Sequence, residues 1–480
     1  MKALKYILIL LCSISLAACF DDDTTLDTVR ISEISIDTLK LQKTYNIDHN
    51  ETLTISTKDI VSESEAQLPL QYAWEVNYKL YSEEPDLKYV GSQIGTFPVR
   101  LKVSNEHGSS FYEFIINVNT AYQTGIAILS EDNEGNPMFS FMRELSDNEQ
   151  NTNEKRKFVN NCLEVNNPEH VFPKHPTDFG IRKDQMFISF KDSPAIYMFN
   201  GSMLNIENIV IDPDPDFIPE RITMLNSEAR SATILTPSGK AYDFGSIEGI
   251  IKPHTKFTST YNDNINLIMS TGYQEATILW DNELQAIVHS NGYSLQNTKK
   301  EGLDFSGHTP IALYRKDKDY FTILTHKESS FFKTTIANLW QVYDKTDDYG
   351  RPVNPHFGLA ENQIEVTGTQ DFTAQTPYVS SIKYQCLYYA IGNNIYRWFF
   401  NNSNSLPTKP FATLNEINGA KITALTISED EEQLYVGVNE SGKSELSGSF
   451  YLLDSDTGKK EGDSPYLNIA HKPIRIMYKK

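Results

Sequence analysis

Hydrophobic and polar positions alternate over short stretches in the first part of this chain. Between residues 29 and 119 these stretches are separated by turn residues, and no 3.6-residue period is sustained. Residues 99–103 place three aliphatic side chains on one face and two cations on the other, and residues 111–118 predict their partner strand after a turn at 105–108. Residues 70–76 predict a further strand, in which Trp74 supplies the large ring of a sandwich core. The pattern predicts an antiparallel β-sandwich.

Residues 120–480 repeat a hairpin pattern, in which two apolar runs flank a turn. The predicted strand pairs are 125–129 with 137–142, 185–190 with 195–199, 232–235 with 240–244, 276–280 with 284–289, 320–325 with 331–336, 386–391 with 395–400, and 434–438 with 450–453. Their turns, centred at Asn133, Asp192, Pro237, Asp281, Lys327, Gly392 and Gly442, recur at intervals of about 50 residues, close to the ~40–50 residues of one propeller blade. The chain is therefore expected to be all-β, with a seven-bladed β-propeller after the sandwich. A string of further Ig-like sandwiches is the alternative.

Two segments of the first domain resemble a PKD-like domain, the Ig-type sandwich of many bacterial surface proteins. Tyr72 and Trp74 match its Y-x-W element, and residues 95–105 followed by Gly108 match its G-T-Y-x-V-x-L-x-V-x-N segment. The W-x-F-G-D-G stretch of the family is absent after Trp74, so the domain is a divergent member. The resemblance implies a spacer or interaction module without catalysis. Residues 451–459, in turn, resemble the Y-x-x-D-x-x-T-G-K hairpin of quinoprotein-type propeller blades, in which Gly458 supplies the positive φ of the turn.

The start of the chain carries an export signal. Lys2 and Lys5 precede an apolar run over residues 6–16 that is too short to span a bilayer. Residues 16–19, Leu-Ala-Ala-Cys, resemble a bacterial lipobox, which implies a signal peptide over residues 1–18 and a lipid anchor on Cys19. A secretory signal with an incidental cysteine is the alternative.

Residues 19–28 are expected to form a lipidated acidic tether. The run Asp21, Asp22 and Asp23 resembles the surface-export signal of outer-membrane lipoproteins in SusC/SusD-type nutrient-uptake systems, although Phe20 departs from the usual small or polar residue. The resemblance implies an outer-membrane protein that faces the extracellular side. A solvated tether without an export role is the alternative.

Composition narrows the possible partners. The 480 residues include 43 Lys and Arg against 63 Asp and Glu, which gives a formal charge of −20. Nucleic-acid binding needs clustered cations, so a nucleic-acid partner is not expected. Apart from Cys12 in the leader and Cys19, the cysteines are Cys162 and Cys386, which could form one disulfide or two buried thiols.

Three segments carry candidate chemistry. Residues 437–444 match GxxxxGK[ST], but apolar runs on both sides favour a hairpin turn over a phosphate loop, which needs a following helix. Asp212, Asp214 and Asp216 could present carboxylates to Ca²⁺, but their prolines and the lack of EF-hand Gly and Glu positions favour a rigid acidic loop.

The long interval between the fifth and sixth hairpins is the favoured ligand or partner site. It holds Trp340, Tyr343, Tyr349, Arg351 and His356. Trp280, beside its turn, is expected at the rim as a further binding residue. For Trp340 and Tyr343, anchoring of a blade edge is the favoured interpretation, and binding is the alternative.

The sequence contains none of the motifs HExxH, GxSxG or GxGxxG, and no cofactor is expected. Lipobox, acidic tether, PKD-like domain and propeller together resemble PKD-like family lipoproteins that accompany SusC/SusD-type systems. The resemblance implies a non-catalytic surface accessory that binds glycan or peptide beside a TonB-dependent barrel and its SusD-like lipoprotein. A cell-surface propeller enzyme, acting on polysaccharide or peptide, is the alternative.

Overall fold

The computed structural model of the chain describes residues 31–49, 51–64, 68–120, 122–145, 155–214, 216–224, 231–270, 275–290, 295–354, 356–359, 362–368, 371–416, 419–440, 442 and 445–480. The signal peptide, Cys19 and the acidic tether lie outside the described residues. The chain divides into two compact units, Met1–Thr120 and Ala121–Lys480. Within the described ranges, no helix has the length and apolarity needed to cross a membrane.

The first unit is a β-sandwich. Its strands are β1 (Ile34–Ile36), β2 (Thr44–Asp48), β3 (Thr52–Ile55), β4 (Val61–Glu63), β5 (Gln71–Val76), β6 (Lys79–Ser82), β7 (Leu87–Val90), β8 (Gly95–Asn105) and β9 (Gly108–Asn119), with a 3₁₀ turn at Thr38–Lys40. The largest sheet has the order β2-β9-β8-β5-β6, and β3-β7 and β1-β4 form two smaller pairs. Strands β8 and β9 pair from Asn105↔Gly108 to Gly95↔Val118, which confirms the predicted hairpin.

Trp74 stands at the centre of the sandwich core. Its ring is fully buried and packs edge-to-face on Phe114 at a centroid distance of 6.4 Å. The indole N–H donates to the backbone carbonyl oxygens of Glu84 at 3.0 Å and Pro85 at 3.3 Å, so its polar atom is satisfied inside the core. Along β8, Val99, Leu101 and Val103 are buried and the alternate residues are partly exposed, as the period-2 pattern predicts.

The second unit is a seven-bladed propeller. Blade 1 contains β10 (Gly125–Glu131) and β11 (Pro137–Arg143); blade 2 contains β12 (Pro176–Arg182), β13 (Gln185–Phe190), β14 (Ala195–Asn200) and β15 (Ile206–Ile211); blade 3 contains β16 (Arg221–Met224), β17 (Ser231–Leu235), β18 (Ala241–Gly245) and β19 (Ile250–Pro253); blade 4 contains β20 (Tyr261–Ser270), β21 (Glu275–Asp281), β22 (Ala286–Ser290) and β23 (Leu295–Asn297). A helix, α1 (Cys162–Asn166), follows blade 1, and a 3₁₀ turn, Thr298–Glu301, follows blade 4.

The remaining strands complete the ring. Blade 5 contains β24 (Thr309–Arg315), β25 (Tyr320–Lys327), β26 (Ser330–Val342), β29 (His356–Leu359) and β30 (Ile364–Val366), with a small hairpin of β27 (Lys345–Thr346) and β28 (Pro352–Val353); blade 6 contains β31 (Tyr378–Ser381), β32 (Cys386–Ile391), β33 (Asn394–Trp398) and β34 (Ala412–Thr413); blade 7 contains β35 (Ala420–Ile427), β36 (Gln433–Glu440), β37 (Gly448–Asp454) and β38 (Tyr466–Ala470). The last strand, β39 (Lys472–Lys479), pairs with β10 and completes blade 1.

The seven predicted hairpins are confirmed, each as a pair of neighbouring antiparallel strands within one blade. The innermost strands β39, β12, β16, β20, β24, β31 and β35 contact one another in that order around a closed ring. The GxxxxGK[ST] match covers the end of β36 and the turn before β37, and the two strands pair from Gln433↔Asp454 to Asn439↔Gly448. A strand follows it in place of a helix, so the hairpin interpretation is confirmed.

Apolar burial joins each blade to the next. The buried apolar side chains of the propeller form clusters that each span two consecutive blades, such as the cluster of Phe187 in blade 2 with Phe244 in blade 3. Another cluster joins Tyr435 of blade 7 to Ile126 and Ile128 of blade 1, so the ring is closed by packing as well as by backbone pairing. Cys162 and Cys386 are free, buried thiols, and burial raises their pKa values to about 12 and about 11.

Deletion of residues 472–480 should prevent the propeller from closing. The truncated chain leaves the edges of β10 in blade 1 and of the blade 7 cluster exposed to solvent, because β39 covers both. We expect rapid proteolysis of residues 121–471 at temperatures where the full chain resists the protease. A truncated propeller that resists digestion as well as the full chain would contradict the closure described here.

His289 should make the stability of the propeller depend on pH. Its side chain is fully buried against Phe357, neither ring nitrogen has a hydrogen-bond partner among the described residues, and burial lowers its pKa to about 4. Below pH ~6.5 the unfolded chain takes up a proton that the folded chain refuses, so the free energy of unfolding falls as the pH falls, by about 3 kcal/mol between pH 7 and pH 4.

Urea unfolding of wild type and His289→Leu at pH 7, 5.5 and 4.5 tests this effect. The His289→Leu variant should lose less stability on acidification than the wild type, whereas His356→Leu, at a partly exposed site, should follow the wild type. Equal pH slopes for the wild type and His289→Leu would show that His289 is not the titrating group.

Candidate functional site

The centre of the propeller is an open channel lined by all seven innermost strands. The cavity there has a volume of about 590 Å³, within the ~300–1,000 Å³ typical of small-ligand sites. Strands within a blade are antiparallel, so in four-stranded blades the fourth strand ends at the face where the next innermost strand begins. The innermost strands therefore all begin at one face of the propeller, which we call the entry face. A residue early in its innermost strand lies near that face.

One half of the channel wall is polar. Arg475 of β39, Asp178 of β12, Arg221 of β16 and Asn264 of β20 come from four consecutive innermost strands and form what we call the polar arc. Each lies within the first half of its strand, so the polar arc is nearer to the entry face. The innermost strands of blades 1 to 4 thus supply one continuous polar surface.

Asp178 connects three blades through its carboxylate. The Phe179 N–H donates to Oδ1 at 2.9 Å, and the Ile222 N–H of the next blade donates to Oδ2 at 3.0 Å. From the closing strand, Nε of Arg475 lies 3.5 Å from Oδ1. The Asp178 side chain is only 2% exposed, so these contacts replace water around the charge.

Each arginine of the polar arc makes one polar contact through its guanidinium group with another residue of the arc. Nη2 of Arg221 donates to Oδ1 of Asn264 at 2.8 Å, which fixes its guanidinium along the wall. The Arg475 side chain is 44% exposed. Guanidinium groups carry five N–H donors each, so both arginines present further donors to the channel.

The other half of the wall is uncharged and mixes apolar side chains with hydroxyl-bearing ones. Leu313, Tyr378, Thr423 and Leu425 line it. The Tyr378 hydroxyl accepts the Leu313 N–H at 3.1 Å and donates to the Leu313 carbonyl oxygen at 3.2 Å. The Thr423 hydroxyl donates to the Pro473 carbonyl oxygen at 2.7 Å. These hydroxyl groups tie neighbouring innermost strands together.

Glu220 lies immediately before the polar arc. Burial raises the pKa of its carboxyl group, Arg221 and Lys191 oppose that shift, and Asp263 and Asp178 add to it. A partly buried carboxyl group with a raised pKa is suited to donate or accept a proton. No group of three His, Cys, Asp or Glu residues in the described ranges is arranged to hold a metal ion.

Several residues predicted for the long interval meet at a small hairpin of blade 5. Tyr349 lies at the tip between β27 and β28, its side chain is 83% exposed, and the Arg351 guanidinium lies 5.1 Å from the centre of its ring. Nε of Arg351 donates to Asp347 at 2.8 Å, and the Asp347 carboxylate accepts the Tyr349 N–H at 2.9 Å. The tip is therefore held by its own hydrogen bonds.

The remaining predicted residues flank that tip. Tyr343 is 42% exposed, and His356 begins β29, where its Nδ1 lies 3.0 Å from the Asn354 carbonyl oxygen. The side chain of Trp340 lies outside the described residues. Since this hairpin connects the third and fourth strands of blade 5, it is on the face opposite the polar arc. The two surfaces are separate.

Trp280 is not at the rim. Its side chain is 2% exposed and packs edge-to-face on Phe305 at 5.6 Å, so the expectation of an exposed binding ring is wrong. Trp280 shares a strand face with Ile278, and both belong to the buried cluster between blades 4 and 5, because β21 continues through Asp281. Trp280 was expected to bind a ligand because it lies beside a turn, but it packs in the core.

The acidic loop after blade 2 uses its carboxylates for turns. The Asp214 N–H donates to Asp212 at 2.7 Å, and the Asp216 N–H donates to Asp214 at 3.0 Å. Asp214 also accepts the Tyr242 hydroxyl at 3.1 Å. The Asp216 N–H and then Tyr242 lower the pKa of Asp214, while burial and Asp214 raise that of Tyr242 to about 12. These hydrogen bonds fix the backbone of the acidic loop and explain why it is rigid.

The residues of the polar arc are missed by motif analysis, because they are separated by tens to hundreds of positions. The available signal is a charged residue between apolar neighbours in the strand before a hairpin, as in Ile474-Arg475-Ile476. At a core position such a charge is costly, and at a channel-facing position it is solvated.

Replacement of Asp178 by Ala should destabilise the propeller by about 2–3 kcal/mol, because it removes the acceptor of a buried N–H and the partner of Arg475. Asp216→Ala, in the acidic loop, should change stability by less than about 0.5 kcal/mol. Urea unfolding of both variants measures the difference. Equal midpoints would contradict the role given to the Asp178 carboxylate.

No family model matches the chain, and no curated protein matches it. Among solved structures, a quinoprotein alcohol dehydrogenase-like protein from Bacteroides thetaiotaomicron is 15% identical, with a TM-score of 0.44, over 94% of this chain and 99% of that one. A putative 6-phosphogluconolactonase from Bacteroides fragilis is 10% identical, with a TM-score of 0.46, over 75% of this chain and 99% of that one.

Proposed function

We propose that this protein is a lipid-anchored accessory protein of the outer-membrane surface, which binds a glycan or peptide in the channel of its propeller. The observation that carries the proposal is the channel itself, an open cavity of about 590 Å³ with a polar arc on one side and an uncharged wall of mixed apolar and hydroxyl side chains on the other. The lipobox at Cys19 supports attachment to the membrane, and the acidic tether supports an extracellular orientation.

The hairpin at Tyr349 is the proposed contact with the uptake complex. Exposed aromatic and arginine side chains dominate the binding energy of many protein interfaces, and Tyr349 and Arg351 are stacked on each other at the tip. Their arrangement is fixed before binding by Asp347, which lowers the entropy lost on docking. The partners we propose are a TonB-dependent barrel and a SusD-like lipoprotein.

Affinity purification tests the accessory role. The tagged full-length protein is isolated from outer membranes in mild detergent, and mass spectrometry identifies the retained proteins. We expect a large β-barrel together with a second lipoprotein, and the Cys19→Ser variant should lose membrane attachment because it lacks the acceptor for lipid. Repeated isolation of the protein alone would contradict the accessory role.

Tyr349→Ala should reduce the recovery of those partners by tenfold or more, since an interface anchor contributes about 2 kcal/mol or more. Phe399→Ala is the matched control, because Phe399 is 40% exposed and also carries an arginine, Arg397, 4.9 Å from its ring centre. Full recovery with Tyr349→Ala, or equal losses in both variants, would show that the Tyr349 hairpin is not the docking element.

A second candidate is a propeller hydrolase or lyase, and Glu220 favours it. The raised pKa of this carboxyl group is what a general acid needs, and Glu220 directly precedes Arg221 of the channel lining, although Glu220 itself is outside that lining. Turnover assays with polysaccharide and peptide substrates, on wild type and Glu220→Gln, decide between the two functions. Activity that Glu220→Gln abolishes would replace the accessory proposal by the enzyme.

A further inference from the structure

The accessible charge of the channel wall is positive. Asp178 is the carboxylate of the lining, but it is 2% exposed and both of its oxygens accept hydrogen bonds. A ligand in the channel therefore meets the guanidinium groups of Arg221 and Arg475 and not the carboxylate between them. Glu220 and Asp263 are outside the lining of the cavity.

Most donors of these two arginines are not used by the described residues. Arg221 makes one hydrogen bond there, from Nη2 to Asn264, and Arg475 approaches Asp178 through Nε. A guanidinium has five N–H groups in a planar fork, and carboxylates bind such a fork through two parallel hydrogen bonds. The remaining Nη groups of both residues are suited to this geometry.

The two arginines stand on either side of one fixed point. Arg475 reaches Asp178 from the strand on one side, and Ile222, the residue after Arg221, donates its N–H to the same carboxylate from the strand on the other side. Asp178 thus holds the strands of both arginines in register, and Asn264 holds the Arg221 side chain. The cations are positioned before any ligand arrives, which reduces the cost of binding.

The opposite wall fits the uncharged part of a ligand. Val379 and Leu425 are partly exposed and offer apolar contact, and the volume of the channel accommodates a sugar residue or a short peptide end. The Tyr378 and Thr423 hydroxyl groups are engaged by backbone groups, but Gln375, Ser380 and Thr426 also line this wall. The wall therefore offers apolar surface and neutral polar groups, and no charge.

We infer that the channel binds its ligand through a carboxylate group held by Arg221 and Arg475. This inference rests on the proposed function, and it names the ligand class as acidic glycans or peptide C-termini, which share that group. Neutral glycans and amidated peptides of the same size lack the anion and should bind much more weakly.

Calorimetric titration of the full-length protein in mild detergent tests the inference with two matched pairs of probes. The first pair is digalacturonate and its methyl ester, and the second is an N-acetylated tri-alanine acid and its C-terminal amide. We expect one of the acids to bind at least tenfold more tightly than its neutral partner, because charge-assisted hydrogen bonds are lost in the neutral form. The acid that binds identifies the source of the carboxylate.

Arg221→Gln and Arg475→Gln should each weaken binding of that acid about tenfold or more, and they should leave the weak binding of the neutral partner unchanged. Arg397→Gln is the control, because Arg397 contacts Asp456 outside the channel. The structure shows a hydrogen bond of the Arg221 side chain to Asn264 and none to Asp178, so Arg221→Gln remains informative if Arg475→Gln disturbs closure.

Equal affinity for acid and neutral probes, unaffected by the arginine variants, would overturn the carboxylate inference, and the accessory role would still be tested by the purification from outer membranes. Binding of none of the four probes would overturn it as well, and the accessory role would then depend on the purification from outer membranes alone.

Discussion

The pairing of the last strand with the first blade is the contact on which the propeller depends. Strand β39 pairs with β10 from Gly125↔Lys479 to Glu131↔Lys472, although the two strands are separated by more than three hundred residues of chain. It supplies the innermost strand of blade 1, without which the apolar clusters on both sides of that blade have an open edge. Every blade packs on its two neighbours, so a gap at blade 1 would open the ring and expose the apolar faces of blades 7 and 2.

Closure also assembles the candidate site. Arg475 is carried by the closing strand, and it meets Asp178 of blade 2, which in turn accepts the Ile222 N–H of blade 3. Arg221 and Asn264 extend the same surface to blade 4. The contacts that hold the ring together on this side are therefore the ones that position its cations. A ligand bound to both arginines would stabilise the closed ring by mass action.

Local patterns predicted the architecture well, and they predicted the site poorly. Each blade is built from a hairpin of neighbouring strands, so residues such as 185–190 and 195–199 carry enough information to predict their own pairing. The polar arc needs strands from blades 1 to 4 at a common depth, which depends on the register of the entire ring. Trp280 shows the same limit, because its burial depends on Phe305 of the next connection and not on its own turn. The hairpin at Tyr349 could be predicted from the sequence, because its insertion makes one interval between successive hairpins longer than the others.

A crystal structure of the mature chain grown with the acid that binds tests the central claim most directly. The account predicts seven blades closed by β39, with the carboxylate of the ligand between the guanidinium groups of Arg221 and Arg475 and the Asp178 contacts intact. Ligand density at the Tyr349 hairpin, or on the blade rims with an empty channel, would contradict it.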